Sequence, residues 1–104
     1  MDSKAMMVAR KLRSKIAEKY IIHDFRLFGS SARGDQNRFS DIDVFIMLPE
    51  LNAVIEEDIF DMAYDLELAH DCVIDVIAVS DQNLNHETDI APVYRNIFSE
   101  GVSL

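Results

Sequence analysis

Between residues 3 and 19 apolar side chains recur at intervals of three and four: Ala5, Val8, Ala9, Leu12, Ile16 and then Tyr20, with Lys and Arg on the opposite face. That spacing predicts an amphipathic helix, for which Asp2 and Ser3 are suitable caps. Ile21, Phe25, Leu27 and Phe28 predict a partly buried strand over 21–28, although its alternation is imperfect. A second strand is predicted from Asp41 to Leu48. Its run Val44-Phe45-Ile46-Met47-Leu48 is continuously apolar, as in a sheet covered on both faces, and Pro49 ends it. Residues 51–70 read as a long amphipathic helix with Ile55, Ile59, Met62, Ala63, Leu66 and Ala69 on one side. Glu56, Glu57, Asp58, Asp61 and Asp65 lie largely on the other. Val73 to Val79 is a third strand, apolar but for Asp75, and 80–88 a polar loop in which Ser80 and Asp81 suit a turn. A last helix is predicted near 89–100, with Pro92 near its start and Gly101 just past its end. The order αβ–loop–βαβα predicts an α/β (α+β) fold, a small mixed sheet packed with helices, in one domain spanning residues 1–104.

Composition narrows the class. A hydrophobic content of 49% belongs to a folded globular chain, and no apolar run approaches the roughly 18 residues of a membrane span. No secretory signal is visible, and the single cysteine, Cys72, excludes an internal disulfide, so a reducing cytoplasm is the expected location. The net charge of −9 is uneven: six of the ten basic residues fall in the first nineteen positions, whereas fourteen acidic residues and no Lys or Arg lie between Arg38 and Arg95. Such a distribution disfavours extended nucleic-acid binding. It suits a basic protein partner, or simply a solvated acidic face.

Candidate chemistry concentrates in Leu27–Leu48. Asp41 and Asp43 are two apart on a strand, so they share a face with Cα atoms roughly 6.5–7 Å apart. Asp75 is the only charge within the third strand; in suitable register, three carboxylates converge. Their mutual repulsion is relieved by a divalent cation, and Mg²⁺ suits a few carboxylates plus substrate phosphates. The plain alternative is a turn residue beside a solvated strand end. Gly29-Ser30 supplies a turn that allows close backbone approach. If a helix follows, its first amides favour an anion, with Arg33 a positive charge one turn later; the plain alternative makes Ser30 an N-cap. His23, His70 and His86 lack metal-ligand spacing and read as structural or surface residues. Cys72 reads as a small buried hydrophobe, Met6, Met7, Met47 and Met62 as core filling, Tyr20, Tyr64 and Tyr94 as packing aromatics, and Arg38 as a solvated loop charge.

Together, Gly29-Ser30, ten residues, then Asp41-Ile42-Asp43 resembles the Gly-Ser-x10-Asp-x-Asp motif of the DNA polymerase β-like nucleotidyltransferase superfamily. The string Gly-Ser-Ser-Ala-Arg-Gly…Ser-Asp-Ile-Asp-Val and the ending Tyr94-Arg95-Asn96-Ile97-Phe98-Ser99-Glu100-Gly101-Val102 are similar to its minimal nucleotidyltransferase (MNT) branch. The resemblance spans nearly the whole chain and breaks no position of the core pattern.

What the resemblance implies is a nucleotidyltransferase fold and transfer of a nucleoside monophosphate from a nucleoside triphosphate, with pyrophosphate leaving. It implies two Mg²⁺ ions on Asp41 and Asp43, and Asp75 as a third carboxylate completing the site that activates the incoming hydroxyl. The resemblance also implies that Gly29 and Ser30 grip the triphosphate, with ATP as AMP donor and Arg33 assisting. Minimal members commonly act beside a HEPN-domain protein as the antitoxin of a toxin–antitoxin pair, which implies AMP transfer to a tyrosine of a HEPN ribonuclease toxin, in a homo- or hetero-oligomer. Little of the chain is left over for an acceptor-binding domain. Two other readings stand beside this one: a non-catalytic antitoxin that neutralises its partner by contact, and a small-molecule nucleotidyltransferase of the aminoglycoside type.

Overall fold

A computed structural model describes residues 4–28, 42–81 and 102–104. Helix α1, Lys4–Ala17, buries Ala5, Val8, Ala9, Leu12 and Ile16, the five helix positions that the apolar stripe singled out. Strand β1 is Asp24–Phe28 and strand β2 is Ile42–Leu48. Helix α2, Ala53–His70, follows, then strand β3, Ile74–Ser80, and the two-residue strand β4, Val102–Ser103.

The sheet order is β3-β2-β1-β4. β1 runs antiparallel to both β2 and β4, while β2 and β3 are parallel, so the sheet is mixed. α2 supplies the crossover that a parallel pair requires. Alternation along the strands sends Phe25, Leu27, Ile42, Val44, Ile46, Leu48 and Ile74 to one face. There they form a single core with the buried residues of α1 and with Ile59, Ala63 and Leu66 of α2. Both helices therefore cover the same face. The other face carries a smaller apolar cluster of Phe45 and Val79, flanked by Phe28, Met47 and Ile77. Burial of β2 on both faces explains its unbroken apolar run.

α2 has well-made ends. The Asn52 side chain accepts from the Ile55 N–H at 2.9 Å, the expected N-cap bond. At the other end Asp71 is left-handed (φ 51°), and its N–H bonds the Glu67 carbonyl. The N–H of Cys72 donates to the same carbonyl at 3.2 Å, closing the last turn.

Several expectations shift. β1 begins at Asp24, and Ile21 is 69% exposed, because the chain first joins the sheet where His23 N–H donates to the Met47 carbonyl. β3 is displaced by one residue: Val73 is exposed, and Ser80, read as loop, is the buried last residue of the strand, paired with Leu48. Met7, Tyr64 and Ala69 point outward rather than into the core, and Cys72 is half-buried. β4 was not foreseen. The caps Asp2 and Ser3, the turn at Gly29-Ser30 and the helix near 89–100 lie outside the described residues.

Candidate active site

Asp43 is the second residue of β2 and Asp75 the second of β3. In the parallel register they are direct partners, so their Cα atoms are about 4.8 Å apart. Both alternate away from the core-facing Ile42, Val44 and Ile74, placing the two carboxylates on the sheet face opposite the helices. Asp43 is half-buried and Asp75 exposed. On the other side of Asp43, across the antiparallel pair, stands Phe28, the last residue of β1. The next row along this face holds the fully buried Phe45 beside Ile77. The carboxylate pair thus stands at the edge of an apolar patch.

Two hydrogen bonds anchor the strand starts just before the aspartates, the first of them between β2 and the residue that precedes β3. The Ile42 N–H donates to the Val73 carbonyl at 2.8 Å, and the Ile74 N–H donates to the Glu67 Oε2 atom at 3.0 Å. Glu67 thereby ties the end of α2 to the start of β3, one residue from Asp75. No motif singles out Glu67; its one signal in the sequence is an acid in the last turn of a helix, where the dipole disfavours negative charge.

Of the predicted site residues, Asp43 and Asp75 are brought together. Asp41, Gly29, Ser30 and Arg33 lie outside the described residues; chain connectivity alone relates them to the pair, since Gly29 follows Phe28 and Asp41 precedes Ile42. Among the described residues no group of three or more His, Cys, Asp and Glu side chains is gathered for a metal. The donor set that is present, two adjacent carboxylates with oxygen ligands only, fits a hard cation such as Mg²⁺.

The histidines serve elsewhere. His23 pairs with Asp81, linking the entry of β1 to the end of β3 at the opposite end of the sheet. His70 lies within hydrogen-bond reach of Lys11, at 3.4 Å. Burial pushes the Cys72 thiol above its ordinary value, which disfavours a reactive thiolate. No helix among the described residues is long and apolar enough to cross a membrane.

Known proteins share this fold. A solved structure described as a minimal nucleotidyltransferase is 22% identical, with a TM-score of 0.67, over 100% of this chain and 97% of its own. A toxin–antitoxin structure with AMP-PNP matches at 22% identity and a TM-score of 0.62, over 89% of this chain and 69% of that one. A Shewanella oneidensis complex of a tri-AMPylated HEPN toxin with an MNT antitoxin matches at 17% identity and a TM-score of 0.56, over 95% and 70%. At these identities the likeness is one of fold. No curated protein sequence matches the chain. The nucleotidyltransferase domain model matches residues 9–103, nearly the full length, and this chain therefore belongs to the nucleotidyltransferase domain family, with nucleotidyl transfer as its enzyme class.

Proposed function

We propose that this chain transfers AMP from ATP to a protein hydroxyl, a tyrosine of a cognate HEPN ribonuclease toxin, and so acts as its antitoxin. The observation that carries the reading is the Asp43–Asp75 register pair, next to the strand end from which the chain enters Gly29-Ser30. Support for the partner comes from structural neighbours that are toxin–antitoxin complexes, one with AMP-PNP and one with an AMPylated HEPN toxin.

In the reaction the acceptor oxygen bonds to the α-phosphorus, the bond from that phosphorus to the pyrophosphate oxygen breaks, and the hydroxyl proton is lost to water. Asp41, Asp43 and Asp75 are the residues that hold Mg²⁺, two ions in this reading. Bound there, Mg²⁺ supplies charge neutralisation for the phosphates and a lower pKa for an attacking hydroxyl. Gly29 and Ser30 bind the triphosphate through backbone and hydroxyl donors, and Arg33 adds a charge to it. Asp43 and Asp75, fixed on neighbouring strands, act by positioning and electrostatics, which dominate phosphoryl transfer.

Incubation with α-labelled ATP, Mg²⁺ and the cognate HEPN protein tests this. Label is expected on a HEPN tyrosine with wild type and not with the Asp41→Asn/Asp43→Asn double variant. If that variant neutralises the toxin as well as wild type, the contact-only antitoxin replaces the catalytic account. Transfer to an aminoglycoside with no protein acceptor favours the small-molecule reading.

A further inference from the structure

α2 is amphipathic towards the core, yet it carries a second apolar stripe on its outer side. Phe60, Tyr64 and Leu68 follow at four-residue spacing and are 43%, 58% and 67% exposed. Residues four apart lie one above another on a helix, so the stripe from Phe60 to Leu68 runs about 12 Å along the axis. Glu57, Asp61 and Asp65, all exposed, lie within or beside it. An exposed apolar row rimmed by charge marks an interaction surface.

From this we infer that the outer face of α2 docks a helix of the acceptor protein whose apolar anchors are flanked by Lys and Arg. Charge selects that occupant. α2 contains six acidic residues and no Lys or Arg, and of the six only Asp58 has a lysine on it. A second copy of α2 laid against the first faces acid with acid, which is unfavourable. An anionic membrane surface is repelled for the same reason, since helices lying on membranes carry Lys and Arg. A cationic amphipathic helix satisfies both the stripe and its rim, in the helix-to-groove manner of peptide recognition. The face belongs to α2, which packs on the sheet side opposite Asp43 and Asp75, so docking here holds the acceptor protein without covering the carboxylates. The inference rests on the proposed protein acceptor.

The test measures binding and transfer separately, with the purified cognate HEPN protein as probe. Binding is followed by titration calorimetry and transfer by label from ATP. Phe60→Ser/Leu68→Ser and, independently, Glu57→Lys/Asp61→Lys change exposed residues only, and circular dichroism checks that each is folded. Expected are at least tenfold weaker binding for each, a raised KM for the HEPN protein with little change in kcat, and wild-type affinity that falls with added salt. Binding within twofold of wild type for both variants overturns the docking surface while leaving the transfer activity standing. Loss of binding by these variants, with no transfer by wild type, keeps the surface and removes the catalytic reading. Wild type that sediments as a dimer dissociated by Phe60→Ser/Leu68→Ser assigns the face to a second copy and overturns the inference.

Discussion

Asp43 and Asp75 come from strands separated by an eighteen-residue helix, yet they are register partners at the start of their strands. A cation held between these two carboxylates needs the strand pairing that brings them together, so it binds the folded chain and not the unfolded one. Mg²⁺ is therefore expected to raise the melting temperature of wild type, by linkage to the folded state alone. Asp43→Asn and Asp75→Asn each diminish that rise and reduce AMP transfer by at least about 100-fold, the scale of losing one electrostatic stabiliser of a transition state. Thermal scans with and without Mg²⁺ check the first effect independently of activity.

Glu67 anchors Ile74, the residue before Asp75. Its carboxylate accepts the Ile74 N–H, so Glu67→Ala leaves a part-buried donor unmatched and costs about 1–3 kcal/mol in a denaturant titration. Transfer falls as well, through kcat. Glu67→Gln keeps an acceptor oxygen at the same reach and is expected to restore most of both.

Phe45 and Ile46 are neighbours that point to opposite sides of β2, and both are fully buried. Truncating either to Ala is expected to cost about 3–5 kcal/mol for Phe45 and about 2–5 kcal/mol for Ile46. A β2 with one solvated face predicts a small cost for Phe45→Ala instead. Urea midpoints at constant slope distinguish the two outcomes.

Asp58 accepts from Lys19 Nζ at 2.9 Å and from the Tyr20 hydroxyl at 2.7 Å. These bonds, that from Lys19 foremost, lower the Asp58 carboxyl below its ordinary value. The bond to Asp58 raises both the Lys19 ammonium and the Tyr20 hydroxyl. A lowered carboxyl stabilises the fold above its unfolded value, about 4, and that contribution is lost as pH falls through the folded value. The two raised groups contribute below their unfolded values, about 10, and lose that contribution as pH rises beyond them. Asp58→Asn is expected to flatten the stability profile at both extremes, read from denaturation midpoints between pH 3 and 11.

Local patterns carried the helices. α1 carries one apolar stripe, and each helical residue in it is buried; α2 ends within two residues of its predicted bounds, where Asn52 and Asp71 cap it. Strand ends were less legible because pairing partners set them. Ser80 becomes strand only by lying beside Leu48, and β4 is too short for any periodicity, existing through its pairing with Arg26 and Leu27. Tyr64 shows a different difficulty: an aromatic at helical spacing looks the same in a sequence whether it packs inward or outward. At the site, Asp75 stands out as the one charge in an apolar run, but its alignment with Asp43 comes from the parallel pairing of β2 and β3 across the α2 crossover, which no spacing rule contains. Gly29, Ser30, Arg33 and Asp41 rest on the motif.

If this chain places AMP on a HEPN protein through Asp43 and Asp75, the intact mass of the cognate HEPN protein after co-expression reports it. Mass increments of one or more AMP groups are expected with wild type and none with Asp43→Asn/Asp75→Asn. An unmodified HEPN protein that wild type nevertheless neutralises, or equal modification by the variant, contradicts that expectation.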